Sequence, residues 1–441
     1  MMSDPPPGEP GGFDPRMFSQ VPLFRELAKI MAWRGGPVNW DLAQQTASSV
    51  IASNQGADER ALPRGDRDDE ELRQAVTVAE LWLDSVTDLP GIQGPVRAMD
   101  TEEWTRLAAS SSGLGLYVEP IAEGMGSALS GNLPEELRSM MDPGAQGNDI
   151  LSGMLGPMGA MLYGLQVGTV AGHLAGQLLG TYDLGVPTGE PRTIGTVGST
   201  AQRLAAEYGF DPTEFRYWLA LREAAHRRQF AGVSWLRPHL ADLIRRFASA
   251  ADFDPTQLME SFGGMGLDPG QLSDPSRIQE ALEGPDAFRI EPTAEQREVL
   301  AQLQALVAFT EAWVDTVVRS AAGDKLTSLP RIEEAIRRRR AEKGAGEQFL
   351  EQLIGLDLKP SDVRAGQAFC DAVIAARGQA GLDRVWRGAE HLPSPAELLE
   401  PSRWLIRLAT DEVEADLGHD PIDLDIPDDL AGLDDRDDTD H

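Results

Sequence analysis

The sequence predicts a mainly α protein: one large helical domain around a central glycine-rich helix, with few or no strands. Three observations carry this. Between about residues 18 and 409, apolar residues recur at three- and four-residue steps, the spacing of one helix face. The alternating apolar–polar runs that half-buried strands require are scarce. Between Asp149 and Asp183 there is no charged residue, and Gly164, Gly168, Gly172, Gly176 and Gly180 recur at every fourth position, with Ala160 one step before them. A four-residue step follows one ridge of a helix, and glycine on a ridge lets a second backbone approach closely.

The 441 residues include 71 acidic and 39 basic ones, a net charge of −32. Binding to nucleic acid needs a surplus of cations on one face, so no nucleic-acid partner is expected. An anionic membrane surface would repel the chain for the same reason. The single cysteine, Cys370, excludes an intrachain disulfide and a cysteine-cluster metal site. The opening MMSDPPPGEPGGFDP has no cationic segment followed by an apolar run. Residues 1–16 therefore read as a disordered leader, and the protein as cytoplasmic.

Residues 17–410 read as a single helical domain, with 17–185 and 200–410 as candidate sub-lobes. Residues 411–441 hold fourteen acidic residues against one arginine, a net of −13. Such a segment buries too little apolar surface to offset its ordering entropy, and it reads as a disordered acidic tail. Ile422, Leu424 and Ile426 alternate with acids there, which leaves a docking peptide for a basic partner as the other reading.

Residues 53–69 are polar and charged and read as a loop. A helix follows over residues 70–87, with Leu72, Val76, Ala79, Leu83 and Val86 on one stripe and Pro90–Gly91 as its terminator. The glycine-rich run is long enough to span a bilayer, for which about 20 residues suffice. However, Gln166, Thr169, His173 and Gln177 form a polar stripe along it, and flanking Lys and Arg clusters are missing. It reads as a buried helix at the centre of a soluble fold, with no membrane span. If the ladder packs between chains rather than within one, the protein is a homo-oligomer. Residues 185–199 read as a loop around Pro187 and Pro191, with Thr193–Val197 as a short strand. Arg337 to Arg340 end a helix that begins near Leu329–Pro330, and cations in a last turn suit a helix C-terminus and a solvated face.

Two helices carry candidate chemistry. Asp211–Pro212 opens the first, with Asp as N-cap and Pro at the first helical position. Phe215, Trp218 and Leu219 set its inward stripe, and that stripe continues at Arg222 and His226. Burying such groups costs several kcal/mol unless they are paired. The frame Arg222–Glu223–Ala224–Ala225–His226 matches H-E-x-x-H at two of three functional positions. In that motif both histidines bind zinc and the glutamate is the general base. Arginine at 222 cannot give up its proton to ligate a metal. The second helix opens on a capping box, Thr293 with Gln296, and is apolar through Val299, Leu303, Leu306, Val307, Val314 and Val317. Glu311 and Asp315 interrupt it. Asp315 can pair with Arg319 at the surface; Glu311 reads as a buried ion-pair partner or a metal ligand.

At these residues the chain resembles the zincin-like metallopeptidase family of actinobacterial and related bacteria. The resemblance runs through most of the body, from VPLFRELAKIMAWRGGPVNWDLA through AELWLDSVTDLP, LLGTYDLGVP and REAAHRRQF to TEAWVDTVV and RIEEAIRRRRAEKGAGEQFLEQLIGLDLKP. The family pattern is H-E-x-x-H with a downstream E-G segment. It implies a zincin-like fold and hydrolase ancestry, Glu223 as base, His226 as a zinc ligand and Glu311 as the third ligand. The chain departs from the pattern at Arg222 and at Ala312. The departure at Arg222 leads to the expectation of a degenerate site: its guanidinium has the planar fork to take the carboxylate of Glu311 in place of a metal, so that no cofactor is held and the protein binds an unidentified protein or peptide partner. The alternatives are a zinc hydrolase that recruits His173, His239 or Asp315 as a further donor, and a purely structural assembly protein. No G-x-S-x-G elbow and no phosphate-binding glycine loop is present.

Overall fold

The computed structural model describes residues 35–54, 66–131, 148–250, 293–341 and 359–417. The proposed leader and residues 418–441 of the proposed tail, including Ile422, Leu424 and Ile426, lie outside the described residues. The fold is mainly α, with two short strands among the described residues.

The helices in chain order are α1 (Trp40–Asn54), α2 (Asp66–Leu83), α3 (Thr101–Ala108), α4 (Gly115–Gly131), α5 (Asn148–Ala175), α6 (Gly198–Tyr208), α7 (Pro212–Arg227), α8 (Leu236–Ser249), α9 (Ala294–Ala322), α10 (Leu329–Ala341), α11 (Pro360–Asp383), α12 (Pro395–Leu399) and α13 (Pro401–Leu417). Strand β1 (Val96–Met99) pairs in parallel with β2 (Ile194–Val197), Val96 opposite Ile194. The short strand expected near Thr193 is therefore present, and its partner went unread because four residues carry too little alternation to register as a period. The helix expected over 70–87 begins earlier and ends at Leu83. Helix α13 continues through Asp411 to Leu417, so the expected boundary at 410/411 falls inside a helix.

The two expected helix starts hold in atomic detail. Asp211 Oδ1 accepts the backbone N–H of Thr213 and of Glu214, each at 2.9 Å, and Pro212 needs no partner for a nitrogen that carries no hydrogen. Thr293 and Gln296 exchange backbone and side-chain hydrogen bonds at 3.1 Å in both directions.

Glycine decides the close approach of α5 to α1. A methyl group built on Gly164 would fall 2.5 Å from the Asn39 carbonyl oxygen, and one on Gly172 would fall 2.6 Å from Val50 Cβ. One on Gly168 would strike the Ala43 carbonyl and lie 2.8 Å from Thr46 Cβ. These three glycines of the ladder thus pack within the chain. The ladder is not one continuous helix, since Gly176 and Gly180 lie beyond Ala175. Nor is α5 buried all round: on its polar stripe Gln166 and Thr169 are half-buried and His173 is exposed. No described helix is long and apolar enough to cross a membrane.

Helix α9 forms the centre. It packs on α7, α8 and α11, and buries Val299, Leu303, Leu306, Val307, Phe309, Trp313, Val314 and Val317. Helix α7 in turn packs on α2. The two helices singled out for candidate chemistry are therefore neighbours in the core.

Candidate functional site

Helix α7 buries both faces of its last two turns, including Arg222, Glu223 and His226. Helix α9 presents Glu311 to them. Its Oε2 accepts from Arg222 Nη2 at 2.7 Å. His226 Nε2 lies 3.0 Å from Oε1 of the same carboxylate, a contact that is an ion pair only when the imidazole is protonated. Arg222 Nη1 also bonds Asp315 Oδ1. Asp315 does not pair with Arg319 as the sequence suggested; Arg319 reaches Glu333 instead. Arg222 further lies over the Trp218 ring, 5.5 Å from its centroid.

A third helix completes the cluster. Arg340, from the last turn of α10, places Nη1 2.8 Å from Glu311 Oε2. Its neighbour Arg339 reaches the Gln177 carbonyl and lies 3.5 Å from Asp183. The reading of the four arginines as a helix cap and solvated face holds for Arg337 and Arg338, which pair with Glu334. It fails for Arg339 and Arg340. The signal for these two was in the sequence: they lie four residues beyond Ala335 and Ile336, both buried, and so continue the inward stripe.

These contacts set the charges. Burial alone would raise the Glu311 carboxyl, but the guanidiniums of Arg340 and Arg222 outweigh it and hold Glu311 well below the usual carboxylate range. Burial opposes charge on Arg222 too, and Glu311 and Asp315 overcome it. Burial lowers His226 below its ordinary value and favours the neutral imidazole. Tyr182 stacks on His226, with ring centroids 5.3 Å apart and planes 6° apart. The Tyr182 hydroxyl bonds the Pro191 carbonyl.

Glu223 faces away from the cluster, toward the segment that leads into β2. Thr181 Oγ1 lies 2.6 Å from its Oε2, and the Tyr182 N–H donates to Oε1 at 3.2 Å. Gly180 makes room for it, since a Cβ there would collide with Oε1. Burial pushes the Glu223 carboxyl up to about 8, against the hydrogen bonds from Thr181 and Tyr182. Gly185 has a positive φ of 75°, and a Cβ there would fall 2.9 Å from Glu311 Cγ. Glycine is required at 185 on both counts.

The remaining candidates lie elsewhere. His173 is exposed on α5. His239 sits on α8 in edge contact with Trp235. Among the described residues, neither joins Glu311 and His226 in a group of three candidate ligands. Immediately after His226, Arg227 and the fully buried Arg228 reach α2: Arg227 Nη2 bonds Glu80 Oε1 at 2.7 Å, and Arg228 Nε bonds Glu80 Oε2 at 2.8 Å. Arg228 opens a π-helical turn, Arg228–Gly232, that follows α7.

The profile of a family described as zincin-like metallopeptidase matches residues 38–405, most of the chain. The chain belongs to this family. A solved structure from Chloroflexus aurantiacus, described as a candidate hydrolase with a novel fold, has a similar backbone. The match has 22% identity and a TM-score of 0.58, and covers 84% of this chain and 99% of that one. At that identity the likeness concerns the fold. No curated protein matches the chain. The zincin-like family implies a zinc ion held by the helix of the H-E-x-x-H motif and a downstream acid. Among the described residues, no three His, Cys, Asp or Glu side chains stand together as a metal requires. A guanidinium occupies the position of the first ligand and a carboxylate oxygen of the third. The residues present do not fit zinc.

Proposed function

We propose that this zincin-like protein works without zinc, as a pseudoenzyme that binds a protein or peptide partner on a metallopeptidase scaffold. The observation that carries this reading is the Arg222 guanidinium. It stands where the motif needs its first histidine and forks between Glu311 and Asp315. Arginine stays protonated at any accessible pH and cannot ligate a metal. Glu223, the counterpart of the catalytic base, is spent on Thr181 and the Tyr182 backbone, and its raised value favours the protonated form at neutral pH. A protonated carboxyl cannot take a proton from water.

One observation favours the other reading, an active metal-dependent hydrolase with Glu223 as base. His226 Nε2 and Glu311 Oε1 are both buried without hydrogen-bond partners and lie 3.0 Å apart, a spacing that two ligands of one ion could share. That reading needs a further donor: Asp315 is bound by Arg222, and no three candidate ligands stand together among the described residues. Metal analysis of protein purified without chelator decides between the two. The expected result is no zinc, no peptide hydrolysis, and a melting temperature that chelator leaves unchanged. About one zinc per chain, lost in His226→Ala, would overturn the proposal.

A further inference from the structure

The helix α7 substitution accounts for only half of the charge a metal would bring. A zinc ion carries two positive charges, and Arg222 supplies one. The second comes from a different helix: Arg340 of α10 contacts the same oxygen, Glu311 Oε2, at 2.8 Å against 2.7 Å for Arg222. The Arg340 side chain is 26% exposed while Glu311 is 3% exposed, so Arg340 reaches in from the water-facing side. Two guanidiniums meet two carboxylates, Glu311 and Asp315, and the cluster is neutral without any ion. His226 retains ligand-like placement against the other oxygen of Glu311.

We propose that Arg222 and Arg340 together form a built-in dication that replaces a divalent metal. Arg340 is then as much a part of the site as Arg222, and restoring the missing histidine is not enough to restore a metal site. This rests on the zinc-free reading above. Zinc in the unaltered protein would defeat that reading, whereas the variants below address the pair of arginines alone.

The test uses the full chain as wild type, Arg222→His, Arg340→Met and the double variant R222H/R340M. Each is dialysed against zinc and desalted, its metal is counted, and its folding is checked by thermal melting. With Arg340 in place, the remaining guanidinium keeps a like charge within about 5 Å of the ion, which weakens zinc at least about tenfold. The double variant is expected to retain about one zinc per chain. Wild type and R340M are expected to retain none. If R222H alone holds zinc as tightly as the double variant, Arg340 is a bystander and the proposal fails. It also fails if a folded double variant holds none. A metal-free cycle of R222M, R340M and R222M/R340M gives an independent reading. Either guanidinium alone leaves Glu311 with a cation, and removal of both leaves a buried bare carboxylate. The melting temperature of the double variant should therefore fall by more than the two single losses combined. Additive losses would overturn the shared role.

Discussion

At the scale of single residues, the deciding feature is how each buried charge finds a partner. Glu223 is the exception, with no cation in contact and two hydroxyl or amide groups around it. When protonated it can donate to Thr181 Oγ1, which lies 3.3 Å from the Thr193 carbonyl and can pass the hydrogen bond on. Its folded value near 8 lies above the ordinary 4.5. Between those pH values the folded chain binds more protons at this site than the unfolded chain, so this group makes stability fall as pH rises through the window. Glu223→Gln keeps the hydrogen bonds and removes the titration. It should be more stable than wild type by about 4 kcal/mol near the upper end of the window, with the gain vanishing toward the lower end. Urea unfolding at both ends checks this, and parallel stability curves would refute it. The sequence disclosed Arg222, His226 and Glu311 because each broke an apolar stripe. It hid the Arg222–Asp315 pairing, since Arg319 is four residues away on the same helix and only the docking of α7 brings a closer guanidinium.

At the scale of elements, glycine spacing and caps carry most of the information. The contrast between two positions on α5 tests the packing argument. Gly168 is pressed against α1, so Gly168→Ala should cost about 1–3 kcal/mol through overpacking. Gly159 has open space where a Cβ would sit. Gly159→Ala should raise stability by about 0.5–1 kcal/mol, the difference in helix propensity. Thermal melts of the two variants should move in opposite directions, and a shared direction would show that the ladder is not the contact surface. The starts of α7 and α9 were legible because capping is local chemistry. The β1–β2 pairing was not, because it joins segments about a hundred residues apart and each is only four residues long.

At the scale of the molecule, α2, α7, α9 and α10 are held by ionic contacts set inside an apolar core. Glu80 on α2 anchors one end, where Arg227 and Arg228 both close on its carboxylate. Arg228 also takes the Leu89 carbonyl at 2.7 Å, so α2, the segment after it and α7 meet at one guanidinium. Glu80→Ala would leave two buried arginines short of their shared carboxylate. The expected loss is about 3–5 kcal/mol, the usual cost of breaking a buried pair. Urea unfolding measures it, and a loss under about 1 kcal/mol would mean that Asp84 and the carbonyls compensate. The apolar core itself follows from the periodicity of the sequence, whereas this ionic framework joins residues far apart in the chain, 89 positions for Arg222–Glu311 and 147 for Arg227–Glu80.

The sequence by itself determined the helical class, the caps that begin α7 and α9, the family, and the presence of polar groups on faces that had to be buried. Those properties depend on neighbours within a few turns, which the order of residues states directly. Only the tertiary structure decided which charges meet. Arg340 and Arg222 share one oxygen of Glu311 because three helices converge there, and a buried charge is stabilised by whatever lies within about 3 Å of it, however distant in sequence.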